Sequence, residues 1–298
     1  MDLEGAALAN ALIGNPSNAI GLEITGVGPR LLFHVDTWVA WVGGHFEAKI
    51  DSKSIFGNRP IRIARGQTLS FSSIHQGYRI FLAIAGGIEV KSVLGRGGSH
   101  LSAGIGNKPI QKGEFLRLSQ PNHSDRMPLL RSMIDSGMSS TKWSITAPII
   151  LGQKTQFIHA IPSLHLNLLS TQEQELLWKT VWTVSSQSNR MGMRLNSHFK
   201  INSPISGIAS QGMCFGTVQL PPSGEPILML SEHQTTGGYP RLLEVVRFER
   251  SKLAQMRPGD QFQFIQTSLE EADKANVLYF TNQVKTLNNI KSALLGSL

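Results

Sequence analysis

Cysteine is almost missing. Of 298 residues only Cys214 carries a thiol, so no disulfide can form within the chain, a usage that fits a reducing compartment. Charged residues make up 16% and aromatic residues 7%, while 41% hydrophobic content is too high for a disordered chain. No apolar run approaches the roughly 18 residues of a membrane-spanning helix. The opening Met1-Asp2-Leu3-Glu4 is acidic where a secretion signal carries a basic region. These absences exclude a disulfide-stapled scaffold and predict a cytoplasmic protein with no membrane partner.

Acidic residues are the scarcer sign, 20 against 28 basic ones, for a net charge of +8. No Lys/Arg block or aromatic-basic stripe accompanies that excess, so no nucleic-acid partner is expected. Arg59, Arg62 and Arg65 alternate with Ile61 and Ile63, the spacing of a strand's solvent face. Also lacking are a G-x-x-x-x-G-K-S/T phosphate loop, a G-x-G-x-x-G fingerprint after a strand, H-E-x-x-H and any cysteine pair with zinc spacing. Nine histidines are scattered without ligand spacing, and no metal site is expected. Cys214, within the apolar Gly212-Met213-Cys214-Phe215-Gly216, reads as a buried inert thiol.

What is present is mainly β. Leu3, Ala7, Leu8, Ala11 and Leu12 predict a helix over residues 2–13, stopped by Gly14-Asn15-Pro16. Short strands are predicted at 22–25, 31–35, 38–42, 61–63, 69–71 and 79–85. Three segments, beginning at Gly66, Gly113 and Gly259, share a turn glycine and a polar residue before alternating apolar positions, as at the entry to a hairpin strand. Residues 121–144, polar and turn-rich, read as a linker between domains at 1–120 and 145–268. Beyond it, strands are predicted at 145–151 and 156–161. Ser170-Thr171-Gln172-Glu173 is a capping box opening a helix, and Ser268-Leu269-Glu270-Glu271 opens a helical tail over 269–298.

The densest polar segment runs from Gly216 to Pro240. An apolar strand delivers His233, Gln234, Thr235 and Thr236, and then Gly237-Gly238, whose backbone can approach an anion or a carbonyl closely. An ordinary hairpin with a polar turn has the same composition.

Three ordered motifs carry a family resemblance: Asn189-Arg190-Met191-Gly192-x-Arg194-Leu195, Gly216-Thr217-Val218-Gln219-x-Pro221-Pro222-x-Gly224-x-Pro226-Ile227, and Gln234-Thr235-Thr236-Gly237-Gly238-Tyr239-Pro240. They resemble the allophanate hydrolase subunit 2, or KipA, family of biotin-dependent carboxyltransferase-like proteins, which includes the C-type subunit of bacterial 5-oxoprolinase. Gly14-Asn15-Pro16, Leu22-Glu23-Ile24-Thr25 and Ala83-x-Ala85-Gly86-Gly87-Ile88 extend the resemblance through the amino-terminal half.

The resemblance implies two tandem cyclophilin-like β-barrels with a few short helices. It implies a component of an ATP-dependent amidohydrolase that opens 5-oxoproline to glutamate. A KipI-like subunit 1/B protein and an A-type subunit come with it as partners, and ATP is bound through the complex. Two alternatives accompany it: biotin-dependent carboxylation of urea or an amide, for which the chain lacks the Met-Lys-Met biotinylation site, and a KipA-like antagonist of a sensor-kinase inhibitor. Within the enzyme reading, Arg190 binds a carboxylate or phosphate; Gln219, His233, Gln234, Thr235 and Thr236 orient the amide; Gly237 and Gly238 contact developing negative charge beside Tyr239. Family members begin with a segment carrying T-x-Q-D-x-G-R-x-G before the Met-Asp matched by Met1-Asp2, so the first barrel is expected to lack its opening strand. The family's Ser-Glu-Gly stands here as Ser210-Gln211-Gly212, an amide in place of a carboxylate.

Overall fold

The computed structural model describes residues 1–93, 97–119, 127–146, 155–202 and 207–296. Most of the strand expected at 145–151 lies outside them. The chain divides into two compact units, Asp2–Ile150 with Asn282–Leu298, and Met1 with Leu151–Thr281.

The first unit opens with α1 (Leu3–Leu12), whose N-cap Asp2 accepts the Gly5 N–H at 2.9 Å and so satisfies an orphan donor of the first turn. Leu8 and Leu12 are buried as their spacing predicts, but Leu3 is left exposed. Next come β1 (Leu22–Thr25), β2 (Arg30–Leu32), β3 (Thr37–Ile50), β4 (Lys53–Ile55), β5 (Ile61–Ile63) and β6 (Thr68–Ile84). They form one six-stranded sheet in which β1, β2 and β3 pair with β6, while β4 and β5 pair with β3. The β3–β6 pair is far longer than the separate strands expected at 38–42, 69–71 and 79–85. The polar run Ser72 to Gly77 breaks the apolar alternation, but backbone pairing continues across it, through three register shifts that bend the ladder.

Both faces of this sheet are buried at its centre. Val39, Trp41, Phe71 and Leu82 pack on one side; Trp38, Ala40 and Val42 pack with Leu8 and Leu12 of α1 on the other. The latter cluster also contains Leu130 and Met133 of α2 (Pro128–Asp135). The segment read as a linker over 121–144 therefore contains a packed helix, only eight residues long, that buries Leu130 and Met133, three apart. Asn15 knits this unit together, donating to Ile84 O at 2.9 Å and Asn10 Oδ1 at 3.1 Å while accepting the Gly86 N–H at 2.9 Å.

The second unit contains β7 (Thr155–Pro162), α3 (Thr171–Lys179), β8 (Val181–Val184), β9 (Gly192–Asn196), β10 (Gln211–Gly212), β11 (Thr217–Gln219), β12 (Ile227–Met229), β13 (Thr236–Gly237), β14 (Arg241–Val245), α4 (Arg250–Gln255) and β15 (Gln261–Gln266). Seven of its strands close a barrel in the order β11-β12-β9-β8-β15-β7-β14, with β15 and β7 parallel. Closure removes the free edges that an open sheet exposes. Trp182, Phe262, Phe264, Ile158, Val218, Leu228 and Leu243 share its core, and the Phe262 and Phe264 rings meet edge to face at 5.1 Å. β10 and β13 form a separate two-stranded ribbon.

The three glycines expected at hairpin entries, Gly66, Gly113 and Gly259, all have φ near +90°, at 89°, 90° and 91°. Gly66 leads into β6 and Gly259 into β15, whereas the segment after Gly113 gains only a bridge from Leu118 to Ile88. The expected capping box is present: Ser170 Oγ accepts the Glu173 N–H, and Glu173 Oε2 accepts the Ser170 N–H at 3.1 Å. Ser268 and Glu271 repeat it at the start of α5 (Leu269–Leu295). Among the described residues no helix is long and apolar enough to cross a membrane.

Candidate active site

On β11 the period of two sends Val218 into the barrel and turns Thr217 and Gln219 to its outer face. Both outward residues are nevertheless buried, at 0% and 1% exposure, so the outer face of the barrel is roofed at this point. The chain on either side of β10 and β13 provides the neighbouring groups: Met213 N–H donates to Thr235 O at 3.0 Å, and Ile208 N–H to Gly238 O at 2.8 Å.

Beneath it lies a cluster of neutral amides. Gln219 Nε2 donates to Tyr239 O at 3.2 Å, and Gln234 Nε2 donates to Gln219 Oε1 at 3.3 Å. Gly237 makes the cluster possible by having no side chain. A Cβ there would stand 2.6 Å from Gln219 Nε2 and 3.2 Å from Gln234 Nε2. Gly237 and Gly238 do not adopt positive φ, so close approach, not a left-handed turn, is the use made of the first of them.

Beside the amides Arg241 and Glu244 form a compact ion pair. Arg241 Nη2 reaches Glu244 Oε1 at 2.6 Å and its Nη1 donates to Gly212 O at 3.2 Å. Thr217 Oγ1 and Ser163 Oγ donate to the same carboxylate at 2.7 and 3.1 Å. Its charge is thereby neutralised in place, and its acceptor sites are filled.

Arg190 has a resident anion. Its guanidinium Nε donates to Glu232, a carboxylate 3% exposed, and the Glu232 N–H returns to Arg190 O at 2.9 Å. Asn189 holds the preceding turn, its Oδ1 accepting the Met191 N–H at 2.8 Å and the Gly192 N–H at 3.3 Å. The resemblance assigns Arg190 to a ligand carboxylate or phosphate; in the structure the buried Glu232 already accepts from it. His233 donates from Nδ1 to Gln234 O at 2.7 Å, which leaves Nε2 as the acceptor of the neutral ring. The Thr235, Thr236 and Tyr239 side chains are exposed.

The structure thus brings Gln219, Gln234 and Gly237 into one cluster, and it sets Arg190 apart in a pair of its own. Glu232, Thr217, Arg241 and Glu244 were not singled out from the sequence. The signal that marks Thr217 is the two-residue period of β11, and Glu244 takes its place from the register that pairs it with Thr217. Cys214 is exposed, contrary to the expectation of a buried thiol, because the burial in this loop goes to its neighbour Met213. Nearby, burial holds the Arg250 guanidinium below its ordinary value, with the adjacent Arg247 charge adding to the effect. Among the described residues no three His, Cys, Asp or Glu side chains gather to hold a metal ion.

The family model described as carboxyltransferase domain, subdomain A and B, matches residues 1–266. The C-type subunit of 5-oxoprolinase from Escherichia coli (strain K12) is 34% identical over 279 residues, covering 92% of this chain and 84% of that one. Its counterpart from Haemophilus influenzae is 31% identical over 278 residues, with the same shares of 92% and 84%. Among solved structures, the urea amidolyase of K. lactis superposes with a TM-score of 0.82 at 27% identity, covering 97% of this chain and 18% of that much longer one.

Proposed function

The chain belongs to the carboxyltransferase subdomain A and B family, and on that premise we propose that it is the C-type subunit of a 5-oxoprolinase, working in a complex that opens a cyclic amide. The observation that carries this reading is the 34% identity to the Escherichia coli 5-oxoprolinase component over 84% of that relative's length. Both 5-oxoprolinase relatives are single components of an enzyme, which supports partner chains of the KipI-like and A-type kinds, and a cytoplasmic setting goes with the same reading.

The neutral cluster suits the chemistry. Ring opening adds one water across the amide C–N bond, and a neutral amide is bound best by neutral donors and acceptors placed to follow its charge shift. In this reading Gln219 and Gln234 orient the amide, Gly237 keeps the approach open, and Thr235, Thr236, Gly238 and Tyr239 line the solvent side. His233 Nε2 takes a proton from water and returns it to the ring nitrogen as the C–N bond breaks. Arg190 acts through Glu232 as a positioning residue, fixing the turn from which His233 and Gln234 project.

ATP does not fit this donor set. The guanidiniums Arg190 and Arg241 are committed to Glu232 and Glu244, and the cluster itself, Gln219, Gln234 and Gly237, is uncharged. In this reading the nucleotide therefore belongs to a partner chain. The test is reconstitution of the full chain with its partners: phosphate release that depends on 5-oxoproline is expected, and none above background would overturn the reading.

A second reading is favoured by the structural likeness to urea amidolyase, namely carboxyl transfer to urea from a biotin carried on another protein. The ureido ring of biotin is itself a neutral donor–acceptor group that Gln219 and Gln234 fit. Recovery of a biotinylated protein with the tagged chain, together with urea-dependent turnover, would favour it over ring opening.

A further inference from the structure

Gln211 is directly opposite Gly237 in the β10–β13 ribbon. Residues facing each other across an antiparallel pair project to the same side, so the Gln211 side chain shares the face that Gly237 leaves bare. That is the face of the Gln219 and Gln234 amides. Gln211 Oε1 is buried and has no hydrogen-bond partner among the described residues. The Gln234 and Gln219 amides, by contrast, donate to Gln219 Oε1 and Tyr239 O.

A buried acceptor without a donor destabilises a fold, and each such group in a native protein calls for a donor from elsewhere. The group is an amide carbonyl, an acceptor that the N–H of a neutral amide fits. We propose that Gln211 Oε1 accepts the N–H of the substrate's amide, making Gln211 the residue by which the site selects a lactam or ureide over the corresponding ester. This rests on the amide-opening reading above and adds to it a stated bond and a stated selectivity. A site built to hydrogen-bond a substrate N–H rejects the analogue lacking it, because the buried acceptor is then left unpaired.

The experiment compares the wild-type chain with Gln211→Leu and Gln211→Glu. In the reconstituted complex, kcat/KM is measured for 5-oxoproline and for its lactone, in which ring oxygen replaces N–H. Wild type is expected to favour the lactam, Gln211→Leu to reduce that ratio about 10–100-fold, and Gln211→Glu, which keeps an acceptor, to retain it. On the full chain without ligand, Gln211→Leu is expected to raise the melting temperature by about 2 °C, since the orphan acceptor is gone. An active complex whose lactam-to-lactone ratio survives Gln211→Leu overturns the proposal alone, and a structural water on Gln211 would give that result. A fall in melting temperature overturns it too, because Gln211 would then be held by the protein. A wild-type complex inert toward 5-oxoproline overturns the functional reading and the proposal together.

Discussion

The two units bury polar side chains to different ends. In the first, Asn10 and Asn15 are buried and hydrogen-bonded: Asn15 makes three bonds, and Asn10 donates to Ala19 O at 3.0 Å. That network closes on itself and ties the end of α1 to the turn after β6. In the second, Gln219 is equally buried, but the cluster around it includes Gln211 with an unfilled acceptor, beside Gly237, whose missing side chain leaves its place to the Gln219 and Gln234 amides. A satisfied polar network rigidifies a fold, whereas an unsatisfied one is a standing cost that a ligand can remove. Both regions include motifs that carried the family resemblance, Gly14-Asn15-Pro16 and Gln234-Thr235-Thr236-Gly237-Gly238-Tyr239-Pro240. Under the proposed function, such motifs therefore mark architecture in one unit and a binding face in the other.

The largest effect should come from the ion pair that straddles this distinction. Arg190→Ala strands a nearly fully buried carboxylate, and it is expected to destabilise the second unit by about 3 kcal/mol, read from the urea midpoint. Unchanged stability would return Arg190 to the set of ligand-binding residues. Next, Asn15→Ala removes the acceptor of the Gly86 N–H and leaves Ile84 O with only the Gly87 N–H, and it should destabilise the first unit by about 2 kcal/mol, with turnover per folded molecule unchanged. A specific loss of turnover there would break the contrast between the units.

Gly237→Ala tests the other side of the contrast. Its Cβ meets the far end of Gln219, a flexible side chain but a buried one, so a stability loss of only about 1 kcal/mol should accompany a fall in kcat/KM of tenfold or more. The smallest expected effect is at the capping box, where Ser170→Ala should cost about 1 kcal/mol or less. Its pH dependence has a defined sign. Glu173 is held below its ordinary value of 4.5 chiefly by the Ser170 hydroxyl, with the Ser170 and Asn202 N–H groups assisting. A depressed carboxylate stabilises the fold fully above that ordinary value, and the contribution is lost as pH falls through the lowered one. The difference between Ser170→Ala and wild type should therefore shrink below pH 4.5 in acid-unfolding curves.

Legibility followed locality. The strand Ile61–Ile63, with Arg62 facing out between two fully buried isoleucines, and the capping box at Ser170 were readable because each depends on residues within a few positions. The packed helix Pro128–Asp135 was not, since two turns are too short to show a helical period until the partners of Leu130 and Met133 are supplied from α1 and β3. In the site, the polar run from His233 to Thr236 was visible as composition. The pairing of Arg190 with Glu232, 42 positions apart, was not visible, and neither was the exposure of Cys214.

By itself, then, the sequence determined the mainly β character, the glycine-led hairpin entries, the caps and the family, because period, turn chemistry and ordered motifs are local properties of the chain. Only the tertiary structure decided which of the polar residues meet. Whether a buried amide or guanidinium is satisfied depends on groups brought from distant strands by register and barrel closure. That is why Arg190 is committed to Glu232 while Gln211 keeps an acceptor open.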